Sequence, residues 1–490
     1  MFRRVTVLRH VDSPKRDRRI ALIPPIDLLQ LRQLPATENP QNRDAEPGTQ
    51  NRDGLNCVVL SHSCTGSGWA IAAFRRLRDT GQEPPALRMR ILFLSPRLCL
   101  PLLTGARIRE YYLARALAQH ADVTYVSFIQ PGFPEPTADE LGFFSEVFLV
   151  PLLGRYSLRK ILRGLTGREP LNVLNYTTDE MKSVITAIAA RNRFDLVHLD
   201  SSHMVEYVPL IETLWQSPVR AVYDWHNIES ELMRRFAANV SSFPKRVYAN
   251  LTAKRLVRLE KRILGTGFGH VVCSPREKEK LLAIAPAARI TVIENGVDTE
   301  RFAPADEAVP RQRLVYVGAM DFHANIDAAC WFARRAWPAI HQRFPDWRLT
   351  LIGSNPVPAV RELAREPNVE VTGTVPDVVP YYRDAVAAIV PLRTGGGTRL
   401  KILEAMAAGV PVVSSRQGAE GLAVSTGQDI EVLDDDSGWL PALTAIATEP
   451  GLWNARSLAG LALVRAHYDW RLLGERLYEE YRFWLASAAV

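Results

Sequence analysis

The sequence predicts an α/β protein with two doubly wound parallel-sheet domains facing a cleft. Three observations carry that expectation. From Met89 onward, apolar runs of strand length alternate with amphipathic stretches of helix length. Several runs are apolar throughout and then stop in polar residues, as in FDLVHLD (194–200) and VRAVYDWHN (219–227); strands of a parallel sheet, covered on both faces, read this way. The alternation breaks once, near 303–312. That break separates a domain at 89–302 from one at 313–468, with a last helix at 469–490 that returns to the first domain. A chain of 490 residues suits two or three domains.

Residues 1–88 read differently. Their middle, PATENPQNRDAEPGTQNRDG, is polar and turn-rich, a composition that favours disorder. The switch to a buried strand falls at a methionine, Met89. The stretch is therefore expected to be a disordered extension or a mis-assigned start. It also explains the charge. The chain carries +7, but residues 1–88 hold 14 Lys/Arg against 9 Asp/Glu. The rest is nearly neutral, so nucleic-acid binding loses its compositional support. Five cysteines (Cys57, Cys64, Cys99, Cys273 and Cys330) show neither CxxC pairing nor metal-ligand spacing. They read as reduced thiols of a cytoplasmic protein. No apolar run approaches the roughly 18 residues of a bilayer span.

In chain order, RILFLS (90–95) is the first strand. A loop with Gly105-Ala106-Arg107 follows, then the helix REYYLARALAQH (109–120) and the strand DVTYVSF (122–128). Two stretches, 155–168 and 245–262, interleave Lys and Arg with leucines. Each reads as a solvated helix face or as an amphipathic helix meeting an anionic membrane surface. Ligands of open α/β sheets sit beyond the carboxyl ends of the strands, which makes Asp200, His203, Asp224 and His226 candidates by position. NGVD (295–298) is a turn, with Phe302 and Pro304 after it. RLVYVGAM (313–320) opens the second domain, and VEVTGTV (369–375) ends in a loop at Gly373-Thr374-Val375. Asp434-Asp435-Asp436 sits in a turn-like context and reads as solvated. The last helix should bury Leu472, Leu473, Leu477, Tyr478 and Tyr481.

The stretch PLRTGGGTRLKILEAMAAGVPVVSS (391–415) carries the most chemistry. A strand ends at Val390, and Gly395, Gly396 and Gly397 form a loop without side chains. A helix is expected from Thr398 to Ala408, stopped by Gly409. A helix N-terminus presents unpaired N–H groups and a positive dipole end, which favours an anion. Arg399 and Lys401 add cations at that same end, where the dipole alone disfavours them. A bound anion resolves the conflict, and the stretch reads as a phosphate or diphosphate site. Glu404, about two turns in, is placed to accept from a ribose diol. The competing reading is an ordinary crossover whose glycines only permit tight packing.

This stretch resembles the donor-site motif of retaining glycosyltransferases of the GT-B fold, in the large family that includes glycogen and sucrose synthases. Glu404 with EAMAAGVPVV matches the second of that family's two glutamates. The first position is Gly396, as in a branch that resembles exopolysaccharide sugar transferases. The resemblance runs from about Met89 to the C-terminus and implies two Rossmann-like domains. It implies transfer of a sugar from a nucleoside diphosphate donor to a hydroxyl of a saccharide or lipid-linked acceptor, without metal or other cofactor. Gly395, Gly396, Gly397, Thr398, Arg399, Lys401 and Gly105 would hold the diphosphate, Glu404 the ribose, and Gly373 and Val375 the base. His226, in a matching HN pair, would contact the transferring sugar. His198 resembles the first histidine of the family's VHxH, whose second position here is Asp200. The family's usual arginine and lysine after the glycine of the RLVYVG strand are missing from DFHANIDA, where His323 and Asn325 stand instead. Arg399 and Lys401 are expected to take over part of that grip. A location at the inner face of the cytoplasmic membrane would follow from a lipid-linked acceptor. A nucleotide-sugar-binding protein without transfer activity and a GT-B-fold epimerase are the alternatives.

Overall fold

The computed structural model describes residues 57–63, 70–76 and 88–488, except short stretches at 131–132, 134–135, 153–159, 161–162, 165–166, 168, 241, 305–310 and 395–398. The chain divides into two compact units. Ile293–Arg476 forms one; the preceding chain together with Leu477–Val490 forms the other.

The first unit is built on strands β1 (Cys57–Ser63), β2 (Ala70–Arg76), β3 (Arg90–Ser95), β4 (Asp122–Ile129), β5 (Glu146–Pro151), β6 (Leu196–Asp200), β7 (Ala221–Trp225), β8 (Gly269–Val272) and β9 (Ile290–Val292). Their order is β1-β2-β5-β4-β3-β6-β7-β8-β9. From β5 to β9 every pairing is parallel. The antiparallel pair β1–β2 extends the β5 edge, so two strands lie within the segment expected to be disordered or mis-assigned. β5 carries no clear signal in the sequence, because EVFLVP opens on an acid and closes on a proline.

Helix α1 (Gly105–His120) begins at Thr104, whose hydroxyl accepts from the Arg107 N–H. Helix α2 (Asp179–Arg191) has Thr178 as its cap, two acids in the first turn and Arg191 in the last. That distribution complements the dipole. It buries Met181, Val184, Ile185 and Ile188 against the strands. Helices α3 (Glu229–Asn239) and α4 (Phe243–Thr266) form a hairpin.

The second unit has six parallel strands: β10 (Arg313–Val317), β11 (Arg348–Ile352), β12 (Val369–Gly373), β13 (Ala385–Val390), β14 (Val412–Ser415) and β15 (Glu431–Leu433). Their order is β12-β11-β10-β13-β14-β15. Each sheet therefore reverses direction of travel at one point, between β3 and β6 and between β10 and β13. These are the switch points where open α/β sheets bind ligands. The near-continuous apolar strands are buried, with Leu314, Leu349, Leu351 and Ala387 fully inaccessible.

The helical stretch that follows β10 is divided. Helix α5 (His323–Trp331) passes through a π turn at Phe332–Ala336 before Trp337–Arg343, and Pro338, which has no N–H to give, sits at that restart. Helix α6 (Leu400–Ala407) begins directly after Arg399. The last helix, α7 (Trp470–Ser487), buries Leu473, Leu477, Tyr481 and Trp484. Leu472 was expected on that face but is exposed, since the buried stripe runs through 473, 477, 481 and 484.

The NGVD turn belongs to the second unit. Val297 bridges to Asp469, the Thr299 hydroxyl bonds the Asp469 carboxylate, and Phe302 meets Tyr382 edge-on at 6.0 Å. Those contacts put the division of units at Val292, ahead of the sequence break near 303–312, of which 305–310 lie outside the described residues.

Candidate functional site

In the second unit, a cluster forms at the switch point between β10 and β13. Gly395, Gly396, Gly397 and Thr398 lie outside the described residues. Arg399, the residue before α6, is buried, and its guanidinium donates to the Gln417 carbonyl at 3.0 Å. Burial lowers its pKa from the ordinary arginine value. Lys401 is half-buried. Its Nζ donates to Asn325 Oδ1 at 3.0 Å and stands 4.3 Å from the centre of the Tyr316 ring.

Asn325 is held on three sides. Its Oδ1 also accepts from the Tyr316 hydroxyl at 2.9 Å, and its Nδ2 donates to the Ala319 carbonyl at 3.0 Å. An amide oxygen and a ring face are soft partners for a full charge. Burial, then repulsion from Arg399, push the Lys401 pKa down to about 7, with Glu404 opposing. The position of Gly318 is tied to this grip. A Cβ there would come 2.7 Å from Asn325 Nδ2 and 2.9 Å from Lys401 Nζ.

Glu404 sits one turn into α6 rather than two, because the helix starts at Leu400. Its Oε2 accepts from the Tyr382 hydroxyl at 3.0 Å. Burial raises the Glu404 pKa, while Tyr382 and Lys401 act against that rise. Gly373 ends β12 with φ +71, a conformation that favours glycine, and open space lies where a Cβ would point. Its carbonyl accepts from Gly353 N–H at 3.1 Å. Val375 is half-buried beside the core. His323 is exposed at the start of α5 and stays outside the cluster.

A second polar cluster lies in the first unit, at the carboxyl ends of β6 and β7. His226 Nε2 meets Asp200 Oδ1 at 2.9 Å. Burial alone would lower the His226 pKa, but Asp200 and then Asp224 outweigh it and hold the pKa above the ordinary value. Arg109, from α1, bonds both oxygens of Asp224 through Nε at 3.0 and 3.1 Å, and both residues are fully buried. His198 Nδ1 lies 2.6 Å from the Tyr481 hydroxyl, and burial lowers its pKa to about 4. His198 is thus a neutral core histidine. Asp200, His198 and Asp224 also bring possible ligand atoms within 4.8 Å of one another, but each is engaged by His226, Tyr481 or Arg109. His203 pairs with Ser201 Oγ at 2.7 Å, away from that group's hydrogen bonds. Gly105 is exposed at the first position of α1.

The structure thus brings Arg399, Lys401 and Glu404 together with Gly318 and Asn325, and separately sets His226 on Asp200. Sequence reasoning had no means of finding Arg109, Tyr316 and Tyr382. Arg109 and Asp224 are 115 positions apart, and only the strand order joins them.

Residues 311–445 match the family profile described as glycosyl transferases group 1, and residues 104–301 match glycosyltransferase family 4. Together the matches span about two thirds of the chain. The chain is 29% identical over 219 residues to a GDP-mannose-dependent alpha-(1-6)-phosphatidylinositol monomannoside mannosyltransferase of Mycolicibacterium smegmatis, covering 40% of this chain and 57% of that protein. It is 27% identical over 242 residues to a GDP-mannose:cellobiosyl-diphosphopolyprenol alpha-mannosyltransferase of Xanthomonas campestris, covering 45% and 60%. The chain thus spans a little over half the length of these curated relatives. Among solved structures, sucrose-phosphate synthase from Thermosynechococcus elongatus superposes with TM-score 0.58 at 19% identity, over 82% of this chain and all of that one. Anabaena HepE in complex with UDP-glucose gives 0.52 at 15%, over 80% and 98%. At those identities the likeness speaks for the fold, two parallel-sheet α/β domains of the GT-B class.

Proposed function

We infer, from the premise that this chain belongs to the glycosyl transferases group 1 with a family 4 segment preceding it, that it moves a sugar from a nucleoside diphosphate sugar to a hydroxyl of a saccharide or lipid-linked acceptor. The observation that carries this reading is the cation pair at the start of α6. Lys401 is held at a strand switch point by Asn325 and a ring face, with buried Arg399 two positions ahead of it. Glycosyl transfer breaks the bond from the sugar carbon to the diphosphate and leaves negative charge on the departing oxygen. Fixed cations and helix N–H groups stabilise that charge as it develops. A Lys401 with a pKa near 7 takes up a proton when the anion arrives.

Glu404, oriented by Tyr382, accepts from the ribose hydroxyls, and Gly373 and Val375 line the base. Gly395, Gly396, Gly397 and Thr398, which lie outside the described residues, would supply backbone N–H groups to the phosphates, and Gly105 would add another. His226, held by Asp200, would contact the transferring sugar. No residue is assigned as nucleophile. Retention of configuration, a role in exopolysaccharide or cell-surface glycan synthesis, action without a metal, and peripheral contact with a membrane complete the proposal. The two mannosyltransferase relatives are named for GDP-mannose and for lipid-bearing acceptors, which makes GDP-mannose the first donor to try.

A panel of nucleotide sugars, followed for slow sugar release without acceptor, tests the reading. Release from one donor, lost with Glu404→Ala together with donor affinity in calorimetry, is expected. Binding without release would favour a nucleotide-sugar-binding protein, interconversion of the donor sugar would favour an epimerase, and unchanged affinity in Glu404→Ala would remove the ribose role.

A further inference from the structure

We propose that the α3–α4 hairpin is a docking surface for an anionic lipid bilayer. Helix α4 is apolar on two faces. One face buries Ala249, Ala253, Leu256 and Ile263 against the first unit. The other exposes Phe243, Val247 and Leu251, which are 67%, 41% and 46% accessible. Their spacing of four places them in one stripe along the first turns of the helix. On the adjoining α3, Leu232 and Phe236 repeat the spacing and are also exposed. A contiguous apolar stripe in water signals a partner, whereas single exposed leucines do not.

Charge identifies the partner. Lys245, Arg246, Lys254 and Arg258 are exposed around the stripe, and no acid occurs in α4 before Glu260. The second basic stretch of the sequence, 155–168, is tied to the same helix, because the Arg255 guanidinium donates to the Gly164 carbonyl. Most of that stretch lies outside the described residues. Apolar side chains rimmed by cations suit insertion at the headgroup boundary of an anionic leaflet. No helix among the described residues is long and apolar enough to cross a membrane, so the contact is with the surface. The inference deepens the reading of a lipid-linked acceptor but stands on α3 and α4 alone.

The test is flotation of the full chain with phosphatidylcholine vesicles, with and without phosphatidylglycerol. Binding is expected only with phosphatidylglycerol, and should weaken as salt rises. The triple change Arg246→Gln, Lys254→Gln, Arg258→Gln should lower partitioning on the order of a hundredfold, at about fivefold per cation. The triple change Phe243→Ser, Val247→Ser, Leu251→Ser should abolish it, and all six positions are exposed enough for the variants to fold. Donor binding measured without vesicles should be the same in both variants, so failure of the transferase reading shows separately. The proposal is overturned if the wild-type chain ignores phosphatidylglycerol, if both variants float as it does, or if sedimentation shows a dimer that the apolar variant dissolves.

Discussion

The two polar clusters differ in how their charges are balanced. In the first unit, Arg109 is matched by Asp224 and His226 by Asp200, atom against atom and buried. In the second unit, no carboxylate among the described residues lies within ion-pair distance of Lys401 Nζ; an amide oxygen and an aromatic ring hold it. A buried charge with its own counter-ion is complete, and removing the partner breaks the fold. A half-buried cation with only soft partners is costly without a ligand and becomes favourable when an anion binds. The comparison separates charges that hold the fold from charges that wait for a ligand.

The largest expected effect follows from breaking the complete pair. Asp224→Asn leaves the Arg109 guanidinium buried without a counter-ion and should cost on the order of 3 to 5 kcal/mol of stability, read by urea denaturation. A loss below about 1 kcal/mol would place Asp224 among the weakly coupled charges. Lys401→Met should do the reverse. Stability should hold or rise, while affinity for a nucleoside diphosphate falls by on the order of ten- to a hundredfold, as expected for hydrogen bonds from a charged donor. A large loss of stability would erase the contrast between the clusters.

Asn325→Asp gives a smaller and more pointed change. It supplies Lys401 with the carboxylate it lacks, so diphosphate affinity should fall by about tenfold while thermal stability rises. Tighter diphosphate binding in that variant would contradict the reading. The last effect, readable without any ligand, is in the pH dependence of stability. The Lys401 pKa is about 7 in the folded chain and about 10.4 in an unfolded one. The cost of charging it is therefore present in full below pH 7 and is relieved as pH rises from 7 towards 10. The wild-type chain should gain stability over that window relative to Lys401→Met. Parallel pH profiles would place Lys401 in a better-solvated setting.

Much of this was legible in the sequence, for reasons that differ by element. Parallel strands such as RILFLS and FDLVHLD are buried nearly throughout, so their apolar runs stand out; EVFLVP (β5) opens on an acid, closes on a proline, is only half-buried at three positions and carries no such signal. The glycine loop before α6 and the misplaced cations Arg399 and Lys401 pointed to an anion because they violate the helix dipole rule. Asn325 stood out only as a replacement for an expected cation, and its bond to Lys401 shows what it does instead. Tyr382, which holds Glu404, and Arg109, which holds Asp224, carry no local signal. Each acts through a partner brought close by strand order, at a separation of 22 positions for one and 115 for the other.

The central claim is that Lys401 is a cation held in reserve for the donor diphosphate. Calorimetry of a nucleoside diphosphate at pH 8, in two buffers of different ionisation enthalpy, tests it directly. The wild-type chain should take up close to one proton on binding, roughly 0.9 for a group that titrates near 7 when the site is empty. Lys401→Met should bind more weakly and take up none. Equal affinity and equal proton uptake in the two proteins would contradict the account.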